Sequence, residues 1–194
     1  GLALCENFYV DYRGGISSRP GTEFVDYVKD DQLETRMIPF RFAPNVENTY
    51  VLLFGDDYVR FIQDGAYVLE AAKNITAITQ ANPGVVTSAG HGFSTGDWVQ
   101  IAGVEGMTRL NGQKTFEVGT TTANTFQLLN PKTGANYDTS GLPAYTSGGT
   151  VSRIYTVVSP YGQEHLAELR YTQVRDTLRL THPDFAIRNL TRSG

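Results

Sequence analysis

Cysteine is nearly missing from this chain: Cys5 is the only one in 194 residues. A lone thiol excludes an internal disulfide framework and a cysteine-based zinc site, and it fits a reducing cytoplasm. Tryptophan and methionine are scarce as well, at one and two residues, while Tyr and Phe supply 11 and 10. That balance suits half-buried strands better than helical bundles. No apolar run reaches the roughly 18 residues that a bilayer span requires, so no membrane contact is expected. Excess positive charge is lacking too, with 16 Lys and Arg scattered among 20 Asp and Glu for a net charge of −4. Electrostatics alone therefore gives no support to a nucleic-acid grip.

What the chain does have is short strand-like runs bounded by turn residues. RMIPFRFA, TYVLLFG, YVRFIQDG and AYVLEA follow one another before residue 72, separated by Pro-Asn, Asp-Asp and Asp-Gly, and predict an antiparallel meander. In YVRFIQDG the set Tyr58, Arg60, Ile62 and the set Val59, Phe61, Gln63 point to opposite faces. Neither is purely apolar, which suits a sheet packed on both sides. From about Lys73 to Arg153 the composition changes to Thr, Gly and Asn with little charge. Six pieces, NITAITQA, GVVTSA, WVQIAGV, KTFEVGT, NTFQLLN and GGTVSRI, predict a small six-stranded β-barrel, closed or nearly so. After Arg153 the pattern of the first 72 residues returns, with YTVVS, a QEHLAEL segment whose Leu166 and Leu169 spacing predicts a helix of about two turns, and the strands YTQV, TLRLTH and AIRNLT. The class is all-β. The expected organisation is a host sheet domain, residues 1–72 plus 154–194, interrupted by an inserted barrel, residues 73–153. Because GLALCENFYVDY enters at once as structure, the chain is expected to be a fragment of something longer.

Several residues invite a chemical reading. GHGFSTGD sets His91 between Gly90 and Gly92, with Phe93, Ser94, Thr95, Gly96 and Asp97 following and Ser88 preceding. A Ser-His-Asp set would need a strained nucleophile elbow, which is absent. A phosphate loop would need a terminal Lys-Ser/Thr and a following helix, also absent. The expectation is a barrel turn in which the glycines take positive φ, His91 bonds locally to backbone, and Phe93 and Trp98 pack inward. His165 and His182 stand far apart in different pieces, and His182-Pro183-Asp184 reads as a turn, so no metal is expected. Asp30-Asp31 and Asp56-Asp57 read as solvated turns, and Cys5 as packing. Asn74 and Asn189 match the glycosylation pattern by chance. RGGISSRPGT, with Gly14, Gly15, Arg19, Pro20 and Gly21, is the candidate assembly arm: its glycines permit sharp turns and Arg19 before Pro20 is biased to extended backbone.

The motifs HGF-x-x-GD, GMT-x-LNG, NTF-x-L and SGGTV, spread across residues 73–153, resemble the small barrel named after the first catalytic-cysteine half-domain of ubiquitin-activating enzymes, a module that also occurs in bacteriophage proteins. NFYVDYRGGISSRPGTEFV and LRYTQVRDTLRLTHPDFAIRNLTR resemble a phage tail protein family with blade-like, propeller-type repeats. The resemblance implies a non-enzymatic structural component of a phage or prophage tail, a nozzle or hub. It would be made in the bacterial cytoplasm and located in the virion tail. Other tail proteins would be its partners, with a homo-oligomeric ring around a lumen for DNA, and the barrel would serve as a surface or docking module. The insert holds no cysteine, so the thiol chemistry of the enzymes does not follow from the fold, and no cofactor is implied. An alternative from the residues is a glycan- or protein-binding module for host-surface attachment, with Tyr137, Tyr145 and Trp98 as an exposed aromatic platform.

Overall fold

The computed structural model describes residues 8–11, 13–18, 24–41, 49–112 and 114–191. The protein is all-β and its ladders are antiparallel. A first hairpin pairs β1 (Phe8–Asp11) with β2 (Gly15–Ser18). Then come β3 (Arg36–Arg41), β4 (Thr49–Gly55), β5 (Tyr58–Gln63) and the short β6 (Ala66–Tyr67). The turn from β5 to β6 runs through Asp64 and Gly65, both at positive φ (51° and 76°), the backbone that a two-residue hairpin turn requires. The predicted AYVLEA strand is cut to two residues, beyond which only Leu69 makes a bridge, to Ile154.

The middle of the chain forms β7 (Lys73–Asn74), β8 (Ala77–Ile78), β9 (Val85–Thr87), β10 (Trp98–Glu105), β11 (Thr115–Thr121), β12 (Thr125–Leu129) and β13 (Ser147–Arg153). They pair in the order β7-β13-β10-β11-β12-β9-β8. The two ends of that order are halves of one bent segment. Between them the Ile75 N–H donates to Gly149 O and the Thr76 N–H to Thr87 O, both at 2.9 Å. Pairing thus runs out from this segment and back to it, curling the sheet into a barrel with little free edge. Its interior is an apolar cluster including Val86, Phe93, Ile101, Leu110, Phe116, Phe126, Leu128 and Val151.

After the barrel, β14 (Thr156–Val158) returns to pair with β5, making the sheet β14-β5-β4-β3 with β6 attached to β5. One sheet therefore draws strands from both sides of the barrel. The last strands, β15 (Arg170–Val174), β16 (Thr177–His182) and β17 (Phe185–Thr191), form a separate three-stranded sheet. Ile38, Phe40, Leu52, Phe54 and Val59 of the first sheet pack on Leu178 and Leu180 of the second. The two-turn helix expected in QEHLAEL is a single 3-10 turn, Gln163–His165. Its preceding Gly162 is extended and makes no side-chain cap, and β15 begins at Arg170, so little chain remains to propagate a costly nucleus. The same leucines are still buried, and Arg36 fixes the turn by donating from Nη1 to the carbonyls of Leu166 and Leu169, each at 2.6 Å.

The alternation read in β5 has a physical outcome. Val59 and Phe61 face the core between the two flanking sheets. On the other side Leu53 of β4 and Ile62 of β5 join Tyr67, Trp98 and Ile154 in a third cluster, which is the seam between the flanking sheet and the barrel. Arg60, 2% exposed, lies over the rings of Tyr58, Tyr67 and Trp98 at this seam.

Candidate functional site

The turn that carries His91 is built by its glycines: Gly90, Gly92 and Gly96 sit at φ of 59°, 71° and 87°. His91 is 3% exposed, and its Nδ1 accepts the Phe93 N–H at 2.9 Å. Its ring lies 5.0 Å from that of Phe93 and 5.2 Å from Phe126. Nε2 is buried without a hydrogen-bond partner. Asp97 does not orient the imidazole: one of its carboxylate oxygens accepts the Ser94 N–H at 2.8 Å and Arg153 Nη1 at 2.9 Å. Ser88 Oγ is also buried and unpartnered. The geometry spends the imidazole on backbone and on aromatic packing.

At the seam, Arg153 closes a clamp between the barrel and the segment that leads into it. It forks onto both oxygens of Glu70, at 2.9 and 2.8 Å, while its Nη1 takes Asp97. The hydrogen bonds to Glu70, and then those to Asp97, raise its affinity for its proton above the ordinary arginine value. A strap formed by residues 24–34 crosses the outside of the barrel. Its Asp26 carboxylate accepts hydrogen bonds from Gln100 Nε2, at 3.2 Å, and from Thr115 Oγ1. Asp31 pairs with Lys132 at 3.1 Å. The Gln32 side-chain amide first, and Lys132 next, hold the Asp31 carboxyl below the usual carboxylate range. Asp30 accepts the Gln32 N–H at 2.9 Å, a local turn contact, whereas Asp56 accepts the Gln163 N–H at 2.9 Å from a distant part of the chain. With Asp31 on Lys132, the paired aspartates also hold tertiary contacts.

Of the arm residues, Gly14 sits at φ 99° in the β1–β2 turn and Gly15 opens β2. Arg19, Pro20 and Gly21, like Cys5, lie outside the described residues. The proposed aromatic platform is not a surface: Trp98 is 3% exposed, and Tyr137 and Tyr145 are half-buried against the barrel core. Their hydroxyls are also engaged, Tyr137 by Lys114 at 2.8 Å and Tyr145 with Gly148 O at 3.0 Å. This overturns the aromatic basis of the host-surface alternative.

The fold also brings together two histidines that look unrelated in sequence. The rings of His165 and His182 are 5.1 Å apart, with Phe185 4.8 Å from the first. His182 Nδ1 accepts the Asp184 N–H at 3.1 Å, while His182 Nε2 and the nearby Tyr161 hydroxyl are buried without partners. Among the described residues no group of three or more His, Cys, Asp or Glu gathers as a metal would need. The residues that sequence reading passed over are Arg60 and Arg153. The available signal was an arginine inside the otherwise apolar YVRFI.

Comparison with known proteins places the barrel. Residues 81–154 match the family model of the ubiquitin-activating enzyme E1 FCCH domain. The ubiquitin-like modifier-activating enzyme 1 of rat and that of mouse are each 38% identical to this chain over 104 residues, and the human enzyme is 36% identical over the same length. These matches cover 52% of this chain and 9% of each enzyme. These mammalian relatives correct the phage or prophage tail component, the location in a virion tail and synthesis in a bacterial cytoplasm, all of which the flanking motifs had implied. The first of those motifs is a run of Gly, Arg and Pro turn signals, which many β proteins need for the same backbone reasons. The second is a stretch of alternating strands, β15 to β17, a pattern just as widespread. It is the barrel, residues 81–154, that carries the sequence signature of the ubiquitin-activating enzyme E1 FCCH domain.

Proposed function

We propose that this chain is a non-catalytic, protein-binding component in the handling of ubiquitin-like modifiers, with residues 73–153 folding as a body of their own that a protein partner packs against. The observation that carries this reading is the FCCH-domain match of residues 81–154, joined to 38% identity with the rat enzyme. Two features support a binding part over a centre of chemistry. The one cysteine, Cys5, lies outside residues 73–153, so the barrel has no thiol to carry a thioester. The imidazole of His91 is held by Phe93 N–H and by aromatic rings, which leaves it without an orienting acid. The chain spans about 9% of the length of the curated relatives it matches, and the module is what is carried over from them.

The test is a titration of the isotope-labelled chain with unlabelled ubiquitin, followed by amide resonances, beside an incubation with ubiquitin, ATP and magnesium. Saturable shifts within residues 73–153 and no ubiquitin adenylate or thioester are the expected results. Amides unmoved at millimolar ubiquitin would overturn the binding reading, and a thioester would overturn the non-catalytic one.

A further inference from the structure

The least compensated charge at the seam is that of Arg60. It is 2% exposed on β5, in the same cluster of rings as Trp98, whose ring centre lies 4.3 Å from the guanidinium carbon. Tyr58 and Tyr67 stand 5.3 and 5.5 Å away. Its Nε donates to Thr156 Oγ1 at 3.3 Å, and its buried Nη1 finds no acceptor. No ion pair to Arg60 is formed among the described residues. Three π faces offset part of the cost of desolvating a cation, but they supply no acceptor for an N–H. Burial accordingly pulls the affinity of Arg60 for its proton below the ordinary arginine value, against the weaker opposing effects of the two tyrosines and Asp26.

Arg60 also lines an open cavity of about 310 Å³ together with Lys29, Trp98, Arg153, Glu70 and Asp97. Both carboxylates are already taken up by Arg153. Asp26 is spent on Gln100 and Thr115. Lys29, exposed on the strap, holds its ammonium 5.6 Å from the Tyr58 ring centre and has no ion pair among the described residues. Three cations, Arg60, Lys29 and Arg153, thus border one cavity against two carboxylates, Glu70 and Asp97, both of which are held by Arg153. The charge of Lys29 is felt by Glu117, without an ion pair between them among the described residues. A volume near 300 Å³ is at the small end of ligand pockets. It has room for a tetrahedral or planar oxyanion with water.

We propose that this seam cavity is an oxyanion-binding site, taking a phosphate or carboxylate group between Arg60 and Lys29 beside Trp98. Arg60 supplies the desolvated donor, packed against the Trp98 ring, and Lys29 faces the anion from the strap. Because the site joins β5, the strap and the barrel, an anion there would fasten the three together. The proposal does not rest on the modifier-handling reading, since anion and ubiquitin binding are measured separately.

Trp98 is the only tryptophan, so its fluorescence reports on the site directly. The experiment titrates the full chain with inorganic phosphate, and in a second arm with acetate, at constant ionic strength. A saturable Trp98 response to at least one anion is expected. It should be weakened by about tenfold or more in Lys29→Gln, whose side chain is exposed, and lost in Arg60→Met. A stronger response to phosphate identifies a phosphate group as the ligand, and a stronger response to acetate a carboxylate. Thermal melts accompany each variant, and Lys29→Gln should melt with the wild type. No saturable response to either anion, or equal binding by wild type and Lys29→Gln, overturns the site.

Discussion

Large apolar side chains left in solvent are distributed unevenly between the barrel and the sheets that flank it. Phe24, Met37, Val158, Val174 and Ile187 are 63 to 87% exposed, and all lie outside residues 73–153. Inside the barrel Val86, Ile101, Phe116, Phe126 and Val151 are fully buried. Buried polar atoms without partners do not follow that division: the core between the flanking sheets holds the Tyr161 hydroxyl and His182 Nε2 beside Phe185, and the barrel holds Ser88 Oγ and His91 Nε2 next to an aliphatic and aromatic interior. The difference teaches what closure does. A sheet whose pairing returns to its own first segment can turn one face entirely inward and has little edge to protect. Among the described residues the open sheet ends in β3 and β14, and it shows Met37 and Val158 to solvent on those two strands.

Four changes would break or sharpen this contrast. The largest effect is expected from Phe126→Ala, which empties the centre of the barrel between His91 and Phe93 and should cost about 3–5 kcal/mol. Urea unfolding would measure it, and the flanking sheets should retain their own melting signal.

Next comes alkali. Burial pushes the Tyr67 phenol from 10.0 up to about 12, and its hydroxyl donates to Tyr27 O at 3.0 Å. Between those pH values the unfolded chain has lost this proton while the folded chain keeps it, so stability falls as pH rises. The size is roughly 2–3 kcal/mol. Tyr67→Phe should remove that part of the alkaline loss in parallel melts from pH 9 to 12.

Arg153→Met comes third. It leaves Glu70 and Asp97 without their shared cation and should cost about 1–2 kcal/mol in urea titration, moderated because the clamp is partly solvated. Last is Val158→Thr, 87% exposed on β14, which should change the melting free energy by less than about 0.5 kcal/mol.

Strands were the most legible feature of the sequence. The runs at 36–41, 49–55 and 58–63 and the barrel pieces from Val85 to Arg153 appear as ladders, because alternation, β-branched residues and turn chemistry act locally. The His91 turn was legible for the same reason, since its glycines and its Phe93 contact are near neighbours in sequence, but Trp98, expected to pack into the barrel, packs instead at the seam with Leu53, Tyr67 and Ile154. Tertiary partners were not. Nothing local says that Arg153 will meet Glu70 across the seam, that Asp26 will reach Thr115, or that His165 will meet His182 edge to face. These contacts depend on which strands become adjacent. QEHLAEL was misjudged because leucine spacing fits a helix and a docked turn equally well. The flanking likeness to phage tail proteins misled for a related reason, since it rested on turn signals and strand alternation, which many β folds share.

The claim on which the account turns is that the barrel is a folded body in its own right, available as a binding module. Hydrogen exchange of the whole chain, read by mass spectrometry on peptides from each region, tests it most directly. The account predicts that β10, β11, β12 and β13 exchange together and slowest, in a cooperative step separate from that of β3, β4 and β5. A single step in which barrel and flanking sheets lose protection together would contradict it.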